Sequence, residues 1–171
     1  FTQANLVRLS VATDEDNAYY IPVGHDYEGA PKQLDRDEVL KKLKPIIEKT
    51  PLIGQHLKFD RNVLANYDIH LNVIENDTML MSYVYDPTAT RHNLDAMASH
   101  YLNVKTTTFE DVAGKGVKQL TFNQIPLEKA SDYAAEDADI TFRCYSHLKP
   151  ALAKTPSLEK VLHEIELPLV P

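Results

Sequence analysis

The sequence is short of several features that mark whole classes of protein. It has a single cysteine, Cys144, so no disulfide framework forms within the chain, which is typical of a reducing cytosol. No apolar run approaches the length of a membrane-spanning helix, and the amino-terminal segment lacks the basic and long apolar regions of a signal peptide. We therefore predict a cytoplasmic protein with no membrane contact.

A surplus of positive charge is also missing. The net charge of −7 argues against a general nucleic-acid binder. An acidic protein can also hold divalent cations at its site, so net charge alone does not decide whether this protein acts on nucleic acid. The motifs H-E-x-x-H, G-x-S-x-G, G-x-x-x-x-G-K-[ST] and G-x-G-x-x-G are absent as well. Their absence argues against zinc proteases, nucleophile-elbow hydrolases and the common phosphate-binding loops.

What is present is typical of one globular domain spanning residues 1–171, with 43% hydrophobic and 25% charged residues. Residues 4–13 and 17–26 alternate apolar and polar side chains and predict an antiparallel strand pair. Helical spacing follows at 34–50, and a short buried strand is predicted at 51–57.

Individual residues support two of these elements. Asp35 or Asp37 can cap the helix predicted at 34–50, and Gly54 permits close backbone approach in the strand predicted at 51–57. Beyond residue 59 the pattern is helical throughout, interrupted by a polar segment at 103–125 that we predict to be a mobile loop with a short helix. Strands followed by helices indicate an α/β layer fold. The predicted helical segments are 59–69, 76–86, 93–102, 126–152 and 157–167.

Acidic residues crowd the last long helix around the segment SDYAAEDADITF. Tyr133 and Asp137 lie one turn apart on one helix face. We expect Asp132, Glu136 and Asp139 to be solvated. Asp137 differs, because alanines and a tyrosine surround it, so it is the candidate functional acid.

Asp60 is a second candidate, since it falls where a short strand turns into a helix. It either interacts only with the helix dipole or belongs to a binding site at the strand end. Two carboxylates and a tyrosine suit Mg²⁺ or Mn²⁺, which prefer hard oxygen ligands. Two such ions about 3.5–4 Å apart can hold the attacking and leaving oxygens of a phosphodiester, although such pairs usually take three or four carboxylates.

Five segments carry a more specific signal: GQHLKFDRNVLANYDI, NDTMLMSYVYD, TRHNLDAMASHYL, TFEDVAGKGVKQLTFNQI and YAAEDADITFRCYSHL. Together they closely resemble the 3′→5′ proofreading exonuclease domain of bacterial DNA polymerase I, over nearly the whole chain. The tyrosine–aspartate spacing resembles the tyrosine branch of the DEDD exonuclease superfamily. The resemblance implies an α/β, ribonuclease-H-like fold, in which helices flank a mixed sheet, and a bacterial, nucleoid-associated enzyme.

The resemblance also implies roles for individual residues. Asp60 and Asp137 match metal ligands for two ions, Mg²⁺ or Mn²⁺, with Zn²⁺ an option at one site. Tyr133 matches the tyrosine that positions the nucleophilic water.

The implied substrate is a single-stranded or frayed 3′ end of DNA, and the implied partner is a polymerase domain in the same polypeptide. Phe109 matches an aromatic that packs against a base of the 3′ end. Gln55 and Arg91 match positions that contact the strand. At the neighbouring strand-contact position the family has asparagine where this sequence has His56.

One expected motif is missing. The family's first motif, Asp-x-Glu, lies on the strand before ANLVRLS, which is the central strand of its sheet, and this sequence begins at Phe1 without it. Asp14, Glu15 and Asp16 do not replace it, because they follow the next strand. We expect a fragment of a larger polymerase that, as it stands, has weak or no activity.

Two other functions remain open at this point. A non-catalytic structural domain is one, because some relatives keep the fold and lose the acids. A free-standing ribonuclease of the same superfamily is the other.

Overall fold

The computed structural model describes residues 5–170, so Ala4, where the first predicted strand begins, and the final Pro171 lie outside the described residues. Within the described range there are four strands and seven α-helices. The strands are β1 (Arg8–Ala12), β2 (Ala18–Pro22), β3 (Leu52–Gly54) and β4 (Ile74–Asp77). The helices are α1 (Arg36–Lys49), α2 (Leu57–Ala65), α3 (Thr78–Tyr85), α4 (Leu94–Met97), α5 (Phe109–Ala113), α6 (Leu127–Ala153) and α7 (Pro156–Val161).

The strands form two separate pairs in the described part of the chain. β1 and β2 are antiparallel, with Ser10 opposite Tyr20, and the tight turn at 13–17 joins them as predicted. β3 and β4 are parallel, with Gly54 opposite Asp77. Antiparallel and parallel pairing therefore coexist with flanking helices, which confirms the predicted α/β class.

Local sequence explains where the first elements begin and end. Asp35, rather than Asp37, caps α1, because its side chain accepts a hydrogen bond from the Glu38 N–H at 3.0 Å. Gly54 is buried, and a Cβ there would collide with the Leu57 side chain. The predicted close approach at Gly54 is thus confirmed.

One strand was not predicted, and several predicted elements have different bounds. β4 was not expected, because its four residues, Ile74–Asp77, run directly into the helical pattern of α3. β3 ends at Gly54 rather than at residue 57, because Gln55 and His56 turn the chain into α2. A strand this short has too few residues for its apolar spacing to be distinguished from that of a helix.

The long helix α6 organises the molecule. It packs against β1, β2 and β3 on one side and against α3 on another. Its buried residues Ile140, Cys144, Leu148 and Leu152 join the main apolar cluster, so Cys144 has the packing role expected of it. The helix spans Leu127–Ala153, close to the predicted 126–152, with Pro150 inside it.

Among residues 5–170, no helix combines the length and apolar character needed to cross a bilayer. The segment 103–125 contains the expected short helix, α5, together with two single turns of tight helix at 116–118 and 122–124.

Candidate active site

Asp60 lies in the first turn of α2, where the sequence predicted a strand-to-helix turn. The residue before the helix, His56, has left-handed backbone angles, φ 60° and ψ 52°, and its side chain does not cap α2. Asparagine tolerates this conformation best among ordinary residues, and histidine is also enriched there. The left-handed backbone at this position is therefore compatible with histidine.

The start of α2 is capped instead by Asp77, at the end of β4. The Asp77 carboxylate accepts hydrogen bonds from the backbone N–H of His56 at 3.1 Å and of Leu57 at 2.7 Å. It also accepts from the N–H groups of Met79 and Leu80, at the start of α3. One buried carboxylate thus holds two helix starts together.

The Asp60 side chain is exposed to solvent and yet lies among many protein atoms, which is the situation of a group in a recess. Desolvation raises the pKa of Asp60 to about 6, and the nearby charge of Asp77 raises it further, while Arg8 and His56 lower it. Desolvation disfavours the charged form of such a carboxylate, and a bound cation would stabilise that form.

Tyr133 and Asp137 lie one turn apart on α6, as predicted. Desolvation raises the pKa of Asp137 to about 6, with further raising by Asp95 and Glu136, whereas Arg8 and the Tyr133 hydroxyl lower it. The pKa of Tyr133 is raised to about 12, first by desolvation and then by the charge of Asp137. Tyr133 therefore remains a neutral hydrogen-bond donor beside a carboxylate.

Arg8 of β1 lies near enough to each of the two carboxylates to affect its pKa. Its guanidinium lowers the pKa of both Asp60 and Asp137, and charge interactions fade over roughly 10 Å. Both acids therefore border the region around Arg8. The guanidinium carbon stands 4.4 Å from the centre of the Phe122 ring, a cation–π contact that fixes its position.

Two phenylalanines flank Tyr133. The ring centres of Phe109 and Phe122 lie 6.1 and 6.3 Å from that of Tyr133. Phe109 is placed by the capping box at the start of α5, in which Thr108 and Asp111 satisfy each other's backbone N–H groups. The predicted stacking residue Phe109 and the predicted water-positioning Tyr133 are thus neighbours.

Glu136 corrects one expectation on the same helix. It was expected to be solvated, but it is half-buried, and its carboxylate accepts a hydrogen bond from the Thr107 N–H at 3.1 Å. This contact holds the segment that leads into α5. Asp139 is also half-buried and lies 3.7 Å from Arg143, whereas Asp132 is exposed as expected.

The three predicted strand-contacting residues differ in their surroundings. His56 and Arg91 are exposed. Gln55 is half-buried and its amide is held at both ends, because Oε1 accepts from the Thr78 hydroxyl at 2.5 Å and Nε2 donates to the His92 carbonyl at 2.9 Å.

The donor set fits a hard divalent cation in part. Carboxylates are the ligands that Mg²⁺ and Mn²⁺ prefer, and both candidates have pKa values raised by desolvation. Within residues 5–170, however, no cluster of three or more histidine, cysteine or acidic side chains could hold a metal ion. Asp60 and Asp137 are therefore two candidate ligands, and the described residues do not complete a metal site around them.

A cavity of about 120 Å³ lies elsewhere, between β4 and the carboxyl-terminal helices. Its lining includes Glu75, Asn76, Lys149 and His163 and shares no residue with the group formed by Asp60, Tyr133 and Asp137.

Comparison with known proteins agrees with this geometry. The profile of a family described as 3′-5′ exonuclease matches residues 1–153. The chain belongs to this 3′–5′ exonuclease family. This match confirms the family that the sequence resembled.

Three bacterial DNA polymerase I proteins are similar to this exonuclease domain. The protein from Pseudomonas aeruginosa is 54% identical over 99% of this chain and 19% of its own length. Those from Rhizobium leguminosarum and Borreliella burgdorferi are 34% and 36% identical, over 99% and 96% of this chain and 18% and 17% of their lengths. The exonuclease domain thus spans less than a fifth of the length of these relatives.

A solved structure has a similar fold. It is the POL domain of Pol1 from M. smegmatis in complex with DNA primer-template and dNTP. The TM-score is 0.68 at 20% identity, over 98% of this chain and 24% of that one. At this identity the likeness shows the shared fold alone.

Sequence reasoning missed Asp77 and Arg8 in this exonuclease domain. An aspartate before a helical run is a recognised capping signal, so Asp77 could have been assigned to the start of α3. Nothing local links it to α2, which lies 20 residues away in sequence. Arg8 is a single basic residue in a strand, and its role becomes visible only when β1 packs against α6.

Proposed function

We propose that this chain is the proofreading exonuclease domain of a bacterial DNA polymerase I and removes nucleotides from single-stranded or frayed 3′ ends of DNA. The observation that carries the proposal is the match to the 3′–5′ exonuclease family over residues 1–153, together with Asp60 at the start of α2 and with Tyr133 and Asp137 one turn apart on α6. Tyr133 stands beside Asp137 as the neutral hydroxyl of the site.

Asp60 and Asp137 would hold Mg²⁺ or Mn²⁺, with further ligands from outside the described residues. When bound, such ions activate water and stabilise the departing 3′ oxygen. Attack by the water oxygen on phosphorus breaks the bond to the 3′ oxygen, which leaves with a proton, and releases a nucleoside monophosphate.

Tyr133 would orient the attacking water by donating its hydroxyl proton in a hydrogen bond. A phenol whose pKa is about 12 is too weakly acidic to serve as a base near neutral pH, so orientation is the role its chemistry supports. Asp137, one turn away, keeps the hydroxyl beside the carboxylate pair.

The substrate strand would be held by stacking and by phosphate contacts. Phe109 offers a half-buried ring next to Tyr133, and stacking of one base on an aromatic ring contributes about 1–3 kcal/mol without regard to sequence. Exposed Arg91 would contact phosphate, and Gln55 and His56 would contact the strand near Asp60. Arg8 adds a positive charge that a phosphate near the carboxylates could meet.

Mispaired ends would be preferred because less base pairing has to be broken before they enter as a single strand. The polymerase domain expected in the same polypeptide would grip the duplex, which relieves this acidic domain of needing a basic surface.

The test uses the complete protein and a 5′-labelled single-stranded DNA with Mg²⁺ or Mn²⁺. We expect stepwise shortening from the 3′ end, abolished by Asp60→Ala and by Asp137→Ala. Asp132→Ala, an exposed acid on the same helix, is the matched control and should leave the rate unchanged. Full activity of Asp137→Ala would show the proposal to be wrong.

A non-catalytic role is the second candidate, since residues 5–170 hold no cluster of three metal-binding side chains. It predicts no shortening of the DNA by the complete protein at any metal concentration. A free-standing ribonuclease has less support, because the similar proteins described above are DNA polymerase I.

A further inference from the structure

The carboxylate of Asp77 does more than an ordinary helix cap. Its side chain is almost fully buried, at 1% exposure, and it accepts hydrogen bonds from four backbone N–H groups. Two of these belong to α3, the helix that Asp77 precedes, at Met79 and Leu80. The other two, from His56 and Leu57, belong to the start of α2.

The start of α2 depends on this distant carboxylate. His56 occupies the cap position but gives no side-chain hydrogen bond, and its left-handed backbone is a conformation that costs a non-glycine residue free energy. Asp77 supplies the missing acceptors at 3.1 and 2.7 Å. Asp60 follows Leu57 by three residues, within the same first turn.

We propose that Asp77 is a positioning residue of the exonuclease site, which fixes the first turn of α2 so that Asp60 presents its carboxylate beside Asp137. This inference rests on the proposed function for its catalytic consequence. Its structural part, the hold of Asp77 on α2, stands on the two hydrogen bonds from His56 and Leu57 alone.

The same junction orients a second predicted site residue. The hydroxyl of Thr78, the next residue, donates to Gln55 Oε1 at 2.5 Å and lies 3.2 Å from the Gly54 carbonyl oxygen. Gln55 in turn donates to the carbonyl of His92, the neighbour of Arg91. The end of β4 therefore sets both the metal-ligand helix and the side chain of Gln55.

Asparagine is the sharpest substitution for testing this role. Asp77→Asn keeps the size of the side chain but removes the charge and turns an NH₂ group toward backbone N–H donors. At most one oxygen then remains to serve α2 and α3 together. If that oxygen takes the position of Oδ1, it can still accept from His56, Met79 and Leu80, but the NH₂ group then faces the Leu57 N–H, so we expect the first turn of α2 to shift or loosen.

The experiment compares Asp77→Asn with the wild-type complete protein, well below both unfolding midpoints. We expect Mn²⁺ affinity, followed by electron paramagnetic resonance, and kcat on single-stranded DNA to fall about tenfold each. KM for the DNA should change less than kcat. Amide exchange at Leu57 should accelerate at least about tenfold, because its N–H loses its buried acceptor.

Leu152→Ala is the matched control for lost stability. Leu152 is buried at 2% exposure on α6, 15 residues and roughly 22 Å along the helix from Asp137. We expect it to lower the unfolding midpoint without changing Mn²⁺ affinity or kcat. Equal losses of affinity and kcat in Asp77→Asn and Leu152→Ala would overturn the inference.

Two readouts separate this inference from the proposed function. If the wild-type protein does not shorten DNA, the proposed function fails, while exchange at Leu57 still measures the hold of Asp77 on α2. If Asp77→Asn does not fold, wild-type exchange decides, and a Leu57 amide as unprotected as that of exposed Glu15 would contradict the inference.

Discussion

The two carboxylates reach the same raised pKa, about 6, in regions that are built differently. Asp137 lies in the interior of α6, a helix of 27 residues anchored by a continuous buried stripe. Asp60 lies in the first turn of α2, a helix of nine residues whose start is held by one carboxylate from another element. One half of the site is rigid through apolar packing, and the other through a few buried hydrogen bonds.

The two halves of the site should therefore respond differently to substitution. The α6 half should lose stability gradually as core methylenes are removed, while the position of Asp137 is kept by its helix. The α2 half should lose its geometry when a single polar group changes, with less loss of global stability. The predictions below test that contrast.

The largest effect expected is on activity. Asp60→Asn and Asp137→Asn should each lower kcat of the complete protein at least about a hundredfold, because each removes a charge that would hold the catalytic cation. Steady-state assays on single-stranded DNA measure this. Losses that differ by more than about a thousandfold between the two variants would show that only one carboxylate serves the reaction.

Core packing along α6 gives the next effect. Leu148 has 0% exposure, and Leu148→Ala should cost about 2–5 kcal/mol in the free energy of unfolding. Urea unfolding measures the loss, with Val117→Ala, at a fully exposed residue, as the control. The kcat per folded molecule should stay unchanged. A fall in kcat that follows the loss of stability would contradict the claim that α6 keeps Asp137 in place when its core packing is weakened.

Tyr133→Phe should have a smaller effect on catalysis. The ring keeps its contacts with Phe109 and Phe122, and only the hydroxyl that faces Asp137 is lost. A hydrogen bond to a charged group contributes about 1.5 kcal/mol or more, which corresponds to roughly a tenfold fall in kcat. An unchanged kcat would remove Tyr133 from the mechanism.

The pH dependence of stability should reveal both acids in metal-free protein. Their folded-state pKa values, about 6, exceed the ordinary 3.8, so the folded state binds more protons than the unfolded state between those values. The contribution of these two groups to stability is therefore full below pH 4 and falls as the pH rises to 6.

Calorimetry of wild type and of Asp137→Asn across pH 4–7, without divalent metal, measures this contribution. The difference in melting temperature, variant minus wild type, should rise with pH and then level off. Because Asp60 is more exposed than Asp137, Asp60→Asn should change the profile less. A difference that falls with pH would contradict the assigned shifts.

The smallest effect concerns the backbone at His56. Its φ of 60° favours asparagine and disfavours β-branched residues. His56→Asn should change the free energy of unfolding by less than about 0.5 kcal/mol, whereas His56→Val should cost about 1–2 kcal/mol. Thermal unfolding of both variants checks the expectation, and equal stabilities would mean that position 56 leaves the left-handed region.

Much of α6 could be predicted from the sequence, because 27 residues provide many turns of apolar periodicity and place Tyr133 and Asp137 on one face. The cap at Asp35 and the close approach at Gly54 were also predictable, since both depend on neighbours in sequence. The roles assigned to Gln55, Arg91 and Phe109 remain predictions.

The parts that could not be predicted depend on contacts between distant segments. β4 is only four residues long and merges with the helical pattern of α3. Asp77 reaches α2 across 20 residues, and Arg8 comes near enough to affect the pKa of Asp60 and Asp137 only in the folded chain. No local periodicity or capping signal encodes these contacts.

The most direct measurement of the central claim is a crystal structure of the complete protein soaked with Mn²⁺, with anomalous diffraction recorded at the manganese edge. We predict anomalous density in contact with the carboxylates of both Asp60 and Asp137, with the Tyr133 hydroxyl beside it. Manganese bound elsewhere, or the two carboxylates separated by intervening protein, would contradict the account.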